Sequence, residues 1–287
     1  MLLRRELLAA LGAGELLGQL PDRTVMFGDA EAYQRFMGRW SALLAPQLVN
    51  FARLGGKEHV LDVGSGTGVL SFEIAKWFPQ CRVTGVDLSK EYVAYAANRN
   101  TFGDRVRFQP GDAQKLDLPQ GAFDAALSLL VFNFIPDAKK AVGEIRRVIK
   151  PGGPVVAAVW EYGEGMRMLR VFWEAVAAVD PAAAKMDEAQ IRLCREGELA
   201  ALWREGGLIG VQEKPLDITM QFQSLDDFWE PFLLGQGPAG AYVKKLDAMR
   251  RKRLRAELGQ KLTLASESSA FTLPARAWAV RGTVEAR

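Results

Sequence analysis

From His59 onward the chain alternates short apolar runs with helical stretches, and this alternation limits the fold more than any other feature. A strand-sized run followed by a helix is one βα unit, and successive units build a parallel sheet with helices on its faces. The expected strands are His59–Val63, Arg82–Val86, Val106–Gln109, Phe123–Leu129, Val155–Trp160 and Leu208–Met220, with a last strand or hairpin arm at Ala270–Val284. Helices are expected from the turn after Val63 to about Phe78, after an N-cap at Ser89, from about Asp137 to Ile149, and over Glu198–Glu205. The fold class is therefore α/β, with a doubly wound sheet. Further helical insertions are expected over about 161–195 and 224–262, packed on the core.

Upstream of the first strand the pattern is purely helical. Residues 1–20 read as a Leu-rich helix ended near Gly18 and Pro21. Arg4 and Arg5 before an apolar stretch raise a twin-arginine signal, but Glu6 and Glu15 interrupt it and an amphipathic helix is the better reading. A second helical region covers 29–54, with Tyr33, Phe36, Met37, Trp40, Leu43 and Leu44 three or four apart; Pro46 is expected to break or restart it. The chain thus divides into an N-terminal helical lid, 1–54, and a main domain, 55–287.

Composition narrows the chemistry. The net charge is +3, from 37 basic and 34 acidic residues, so no nucleic-acid partner is expected. The basic run Lys244, Lys245, Arg250, Arg251, Lys252, Arg253 and Arg255 is broken by Asp247 and Glu257, and reads as a solvated helix face. No apolar run approaches the roughly 20 residues that span a bilayer. Two distant cysteines, Cys81 and Cys194, argue for a reducing compartment, and a cytoplasmic location is expected. With one histidine, His59, at the start of a strand, neither a His-based metal site nor Ser-His-Asp chemistry is expected.

The segment Val60-Leu61-Asp62-Val63-Gly64-Ser65-Gly66-Thr67-Gly68 joins an apolar strand to a helix, the setting of a nucleotide-binding turn. Glycines let the backbone turn sharply and approach a ligand, and the next helix offers unpaired N–H groups. A dinucleotide turn needs G-x-G-x-x-G, but the third positions are Val69 or Ser71. Asp87 ends the second strand about 20 residues later, where a carboxylate can accept ribose hydroxyls. Gly111-Asp112-Ala113 follows the third strand.

The D-x-G-x-G-x-G pattern from Asp62 to Gly68 resembles motif I of the class I S-adenosylmethionine-dependent methyltransferases, of the type 11 or quinone-biosynthesis group. Phe123-Asp124-Ala125-Ala126-Leu127-Ser128-Leu129-Leu130 resembles motif IV, and Arg147–Gly153 resembles the turn before the fifth strand. The resemblance covers roughly 55–160. It implies a mostly parallel seven-stranded sheet with the last strand antiparallel, and S-adenosylmethionine as cofactor. It places Gly64, Ser65, Gly66 and Gly68 around the amino-acid end, Asp62 near its ammonium, and Asp87 with Leu88 at the ribose. Asp112 and Ala113 fall at the adenine, and Ser128 at the border of cofactor and acceptor. Asp124 is expected to be structural.

Methyl transfer from a sulfonium needs alignment more than a catalytic dyad, and none is evident; the catalytic residues stay unassigned. A small-molecule acceptor is expected. Alternatives are a quinone-type C-methyltransferase, a macromolecular methyltransferase, which lacks its basic binding domain here, and a non-catalytic cofactor-binding protein. Tyr33 or Arg39 in the lid, Asn133, and the aromatics Phe228, Trp229, Phe232, Leu233 and Tyr242 around Gly235–Pro238 are candidates for the acceptor side. The acceptor atom and the oligomeric state stay open.

Overall fold

The computed structural model describes residues 29–286. The Leu-rich stretch at 1–20 and the Arg4-Arg5 pair lie outside the described residues.

Seven strands form one sheet: β1 (His59–Val63), β2 (Arg82–Asp87), β3 (Val106–Pro110), β4 (Ala125–Leu129), β5 (Pro154–Trp160), β6 (Leu208–Phe222) and β7 (Phe271–Val284). Their order is β3-β2-β1-β4-β5-β7-β6. The first five run parallel, and β7 is antiparallel to both β5 and β6. Strand β1 lies between β2 and β4, so the chain leaves these strands in opposite directions. A crevice opens at their C-terminal ends, as in other doubly wound sheets.

The central strands are short and apolar because both faces are covered. Val60, Leu61, Asp62 and Val63 are all buried, as are Ala125 to Ser128. Strand β4 begins two residues later than the apolar run suggested. Phe123 forms only a bridge to Ile149, and the Asp124 carboxylate takes the His59 N–H at 2.7 Å and Lys150 Nζ at 2.6 Å. The expected structural role of Asp124 is what these bonds describe.

The last two strands form a long hairpin. Strand β6 buries Leu216, Ile218, Met220 and Phe222 on alternate positions, as an edge strand with one covered face does. Pro215 is accommodated on that edge, and Pro274 of β7 lies beyond the residues paired with β5.

The described chain begins with α1 (Ala30–Tyr33), passes through a π-helical stretch at Gln34–Gly38, and continues as α2 (Arg39–Ala52). Pro46 does not break α2. A proline inside a helix costs about 3 kcal/mol. Burial of Trp40, Leu44, Leu48 and Phe51 on one side outweighs that, at about 1.5–3 kcal/mol for each large side chain. The remaining helices are α3 (Val69–Trp77), α4 (Lys90–Asn98), α5 (Ala138–Val148), α6 (Arg167–Val179), α7 (Glu198–Glu205), α8 (Leu225–Leu233), α9 (Gly237–Lys245) and α10 (Ala248–Lys261). Ser89 caps α4, accepting from the Tyr92 N–H, and Asp137 caps α5 through the Lys140 N–H.

The sheet separates two cores. One contains α2, α3, α6 and the helices after β6; Phe172 stacks on Phe232 at 4.5 Å and Phe36 meets Phe232 edge-on at 5.2 Å. The other packs α5 and α7 on the opposite face, with Phe132 edge-on to Trp203 at 4.7 Å. The basic helix α10 buries Leu254 and Leu258, while Met249 is 82% exposed and falls outside its apolar side. Arg255 is tied to Asp226 and Glu267.

Candidate active site

A cavity of about 440 Å³ sits at the C-terminal ends of the parallel strands. Its walls come from the loop after β1, the ends of β2 and β3, the segment after β4, and helices on both sides of the sequence motif.

The glycine loop is held from behind. The N–H groups of Gly64 and Ser65 both donate to the Val86 carbonyl, at 2.7 and 3.1 Å. Gly66 N–H donates to Asp87 Oδ2 at 2.8 Å. Gly64 has φ +71°, and a Cβ there would meet both Val131 methyl groups at 2.5 Å. A Cβ on Gly66 would meet nothing within 4 Å, which leaves that position open.

Asp87 is a hub. Its Oδ1 accepts the Ser89 N–H at 2.8 Å while Oδ2 holds Gly66. Burial pushes its carboxyl above the usual range, and the two N–H donors oppose that shift. Each oxygen keeps a further lone pair, since a carboxylate offers about four acceptor sites. Asp112 holds its own turn, accepting from the Gln114 backbone N–H at 2.8 Å, and Gln114 Oε1 takes the Asp137 N–H at the start of α5.

Of the residues singled out by sequence, Gly64, Gly66, Asp87, Leu88, Asp112 and Ala113 line the cavity together. Asp62, Ser65, Gly68 and Ser128 do not; they stand behind its wall. Asp62 is fully buried, with Oδ2 accepting the Ser71 hydroxyl at 2.6 Å and Oδ1 without a partner. Burial raises its carboxyl to about 7. The Ser65 hydroxyl is likewise buried and unpartnered. Gly68, at φ +88°, starts α3. The Ser128 hydroxyl donates to the Val63 carbonyl at 2.8 Å, so it joins β4 to β1 instead of facing the cavity; Leu129 and Leu130 supply that wall. Leu130 has φ +65°, a left-handed backbone unusual for a leucine, where the chain turns out of β4 beside the cavity.

Two candidates for the acceptor side part company. Tyr33 lines the cavity, its ring 5.6 Å from that of Tyr92. Arg39 does not: it pairs with Asp227 at 2.8 Å and lies over Trp40 at 4.2 Å, tying α2 to α8. Phe228, Trp229 and Phe232 are core residues, and it is Gly237 and Pro238 beside them that reach the cavity. Asn133 is buried with Nδ2 unpartnered, outside the lining, and Asp137 caps the helix that follows. The π-helical stretch is fastened to the glycine loop, because Thr67 Oγ1 donates to Gln34 Oε1 at 3.0 Å.

Sequence reasoning missed Tyr92, beside Asp87 and Tyr33, and the wall made by Trp160, Tyr162, Leu169, Glu188 and Ile191. Glu188 lies in a short 3₁₀ turn, Glu188–Gln190, with no periodicity to mark it. Only the unusual pairing of an acid with an otherwise apolar neighbourhood distinguishes it, and that neighbourhood is assembled from distant segments.

The methyltransferase domain family model matches residues 60–153, which run from the glycine loop through Asp87 and Asp112 to the turn before β5. This region is a class I methyltransferase domain. The chain is 36% identical over 109 residues to the demethylmenaquinone methyltransferase of Thermus thermophilus, covering 38% of this chain and 50% of that protein. It is 35% identical over 115 residues to the 2-methyl-6-phytyl-1,4-hydroquinone methyltransferase of Synechocystis, covering 40% and 36%. The chain thus spans half or less of the length of either relative. The crystal structure of YcgJ from Bacillus subtilis shares the fold of this chain, with a TM-score of 0.57 at 20% identity over 87% of this chain and 99% of that one.

Proposed function

We propose that this protein is an S-adenosylmethionine-dependent methyltransferase acting on a small molecule. The observation that carries the reading is the cradle of Gly64, Gly66, Asp87 and Asp112 around one cavity at the switch point of the sheet. The donor set fits that cofactor. Gly64 and Gly66 leave bare backbone where side chains would block a ligand; Asp87 retains acceptor capacity for two ribose hydroxyls; and Asp112 can accept from an exocyclic amine. The unpartnered Asp62 Oδ1 lies behind the loop and answers to positive charge on the loop's cavity side.

When bound, the cofactor supplies an activated methyl group on a positively charged sulfur. The chain's own part is to hold the acceptor in line and to exclude water. Orientation of this kind is worth about 7–11 kcal/mol. The apolar wall of Phe36, Met37, Leu130, Phe134 and Leu169 suits an apolar acceptor and keeps water out. The names of the two quinone-pathway relatives favour a hydroquinone as a second, narrower reading of the acceptor. Residues 29–54 act as a lid in this proposal, held by the Thr67–Gln34 bond.

Calorimetric titration with S-adenosylmethionine and with NAD tests the cofactor, followed by a radiolabelled methyl screen across metabolite classes. Binding of NAD without the sulfonium would overturn the reading.

A further inference from the structure

The far wall of the cavity holds a carboxyl that the cofactor cradle does not use. Glu188 is only 4% exposed, yet it lines the cavity. Trp173 Nε1 donates to its Oε2, and no other side chain hydrogen-bonds this carboxyl among the described residues. The surrounding wall is Trp160, Tyr162, Leu169 and Ile191. A buried carboxyl with a single side-chain donor, facing an apolar chamber, is costly unless a ligand completes its hydrogen bonds.

From this geometry we infer that Glu188 is the proton acceptor for an apolar aromatic acceptor bearing a weakly acidic hydroxyl. The inference rests on the methyltransferase reading above. In the step, the acceptor oxygen forms a bond to the methyl carbon as the carbon–sulfur bond breaks. The bonding pair returns to sulfur, which loses its charge, and the hydroxyl proton passes to the Glu188 carboxylate. The products are the methyl ether, the neutral thioether and protonated Glu188, so charge and atoms balance.

The groups facing Glu188 fit such a role. Burial raises its carboxyl to about 7, against the Trp173 N–H and the Arg170 guanidinium, which lower it. Asp187 adds to the rise, but it is paired with Arg170 and so partly neutralised. On the same wall, Tyr162 is held well above its ordinary range by burial and remains a neutral phenol, and Cys194 near it is likewise pushed up and stays a thiol. Glu164 faces Arg170 from the loop before α6. A base with a value near the working pH is the efficient kind.

The probe is 2-naphthol, with radiolabelled S-adenosylmethionine as donor. The wild-type protein is expected to bind 2-naphthol more tightly than naphthalene. It should yield 2-methoxynaphthalene at a rate that climbs with pH through about 7 and then levels. Glu188→Gln should keep the cofactor dissociation constant while transfer falls roughly 100-fold or more and the rising pH limb disappears. Trp173→Phe, which removes the donor that favours the charged carboxylate, should move the limb to higher pH without abolishing transfer. A third readout needs no turnover: the wild-type melting temperature should fall as pH rises toward 7, and Glu188→Gln should flatten part of that fall. Equal transfer in wild type and Glu188→Gln, or no transfer to 2-naphthol by a protein that binds S-adenosylmethionine, overturns this inference and leaves the proposed function standing. Failure to bind S-adenosylmethionine would instead remove the proposed function.

Discussion

The carboxylate of Asp87 accepts the backbone N–H of Gly66 at 2.8 Å, fastening the end of β2 to the tip of the glycine loop. One residue therefore both shapes the loop and presents an acceptor to the cavity. Its second oxygen holds Ser89, the cap of α4, so the loop, the strand and the helix are tied together.

Replacement of Asp87 by alanine removes the acceptor of two backbone N–H groups and the proposed contact to the ribose. Hydrogen bonds to charged groups contribute about 1.5–3 kcal/mol each, so affinity for S-adenosylmethionine should fall at least about tenfold to a hundredfold. Isothermal titration calorimetry, with circular dichroism to check the fold, measures it. Unchanged affinity would show that the carboxylate serves the loop alone.

The two loop glycines should respond differently. Gly64→Ala drives a methyl group into Val131 and imposes φ +71° on a residue with a side chain, whereas Gly66→Ala meets open space and bears only the backbone cost. A left-handed non-glycine residue costs about 1–2 kcal/mol. Chemical denaturation should show that loss in both variants and a larger one in Gly64→Ala, part of which Val131→Ala restores. Equal destabilisation would refute the packing argument.

Asp62 makes stability depend on pH. Its folded-state carboxyl is raised from 3.8 to about 7, so between those values the native state binds more protons than the unfolded chain. Stability is then full below the lower value and is lost as pH rises through the higher one. Asp62→Asn removes this titration and should flatten the decline of the melting temperature toward neutral pH, while S-adenosylmethionine, bringing a cation to the loop, should offset the decline in the wild type. A melting profile indifferent to the Asp62→Asn change would contradict it.

Arg39 is a strut. Its guanidinium meets both the Oδ1 and the backbone carbonyl of Asp227 and covers Trp40 and Phe222. Arg39→Ala should lower stability by about 1–2 kcal/mol, since this pair is about one-third exposed and screened, with the dissociation constant for S-adenosylmethionine within twofold of wild type. A selective loss of cofactor binding at unchanged stability would return Arg39 to the site.

Much of the fold is written locally. The alternation of apolar runs and helical periods gives the βα units, Ser89 announces its helix as a cap, and the spacing of Gly64, Gly66 and Gly68 excludes a dinucleotide turn. These signals depend on neighbours within a few residues, which is why they survive without tertiary context. Pro46 misled because propensity is local while the burial of Trp40, Leu44 and Leu48 that overrides it is not. The Ser128 hydroxyl turned to Val63 for a similar reason: which neighbour a buried hydroxyl finds depends on the strand beside it.

The order of the units, the glycine turn and the acids at the ends of the second and third strands were thus determined by sequence alone. Tertiary structure decided which of these residues reach the cavity and which stand behind it. It also decided that Arg39 braces α8, and that Glu188 and Trp160, from separate segments, close one apolar chamber. The physical reason is range: periodicity and capping act over one or two turns, whereas desolvation and burial are set by every segment that packs around a group.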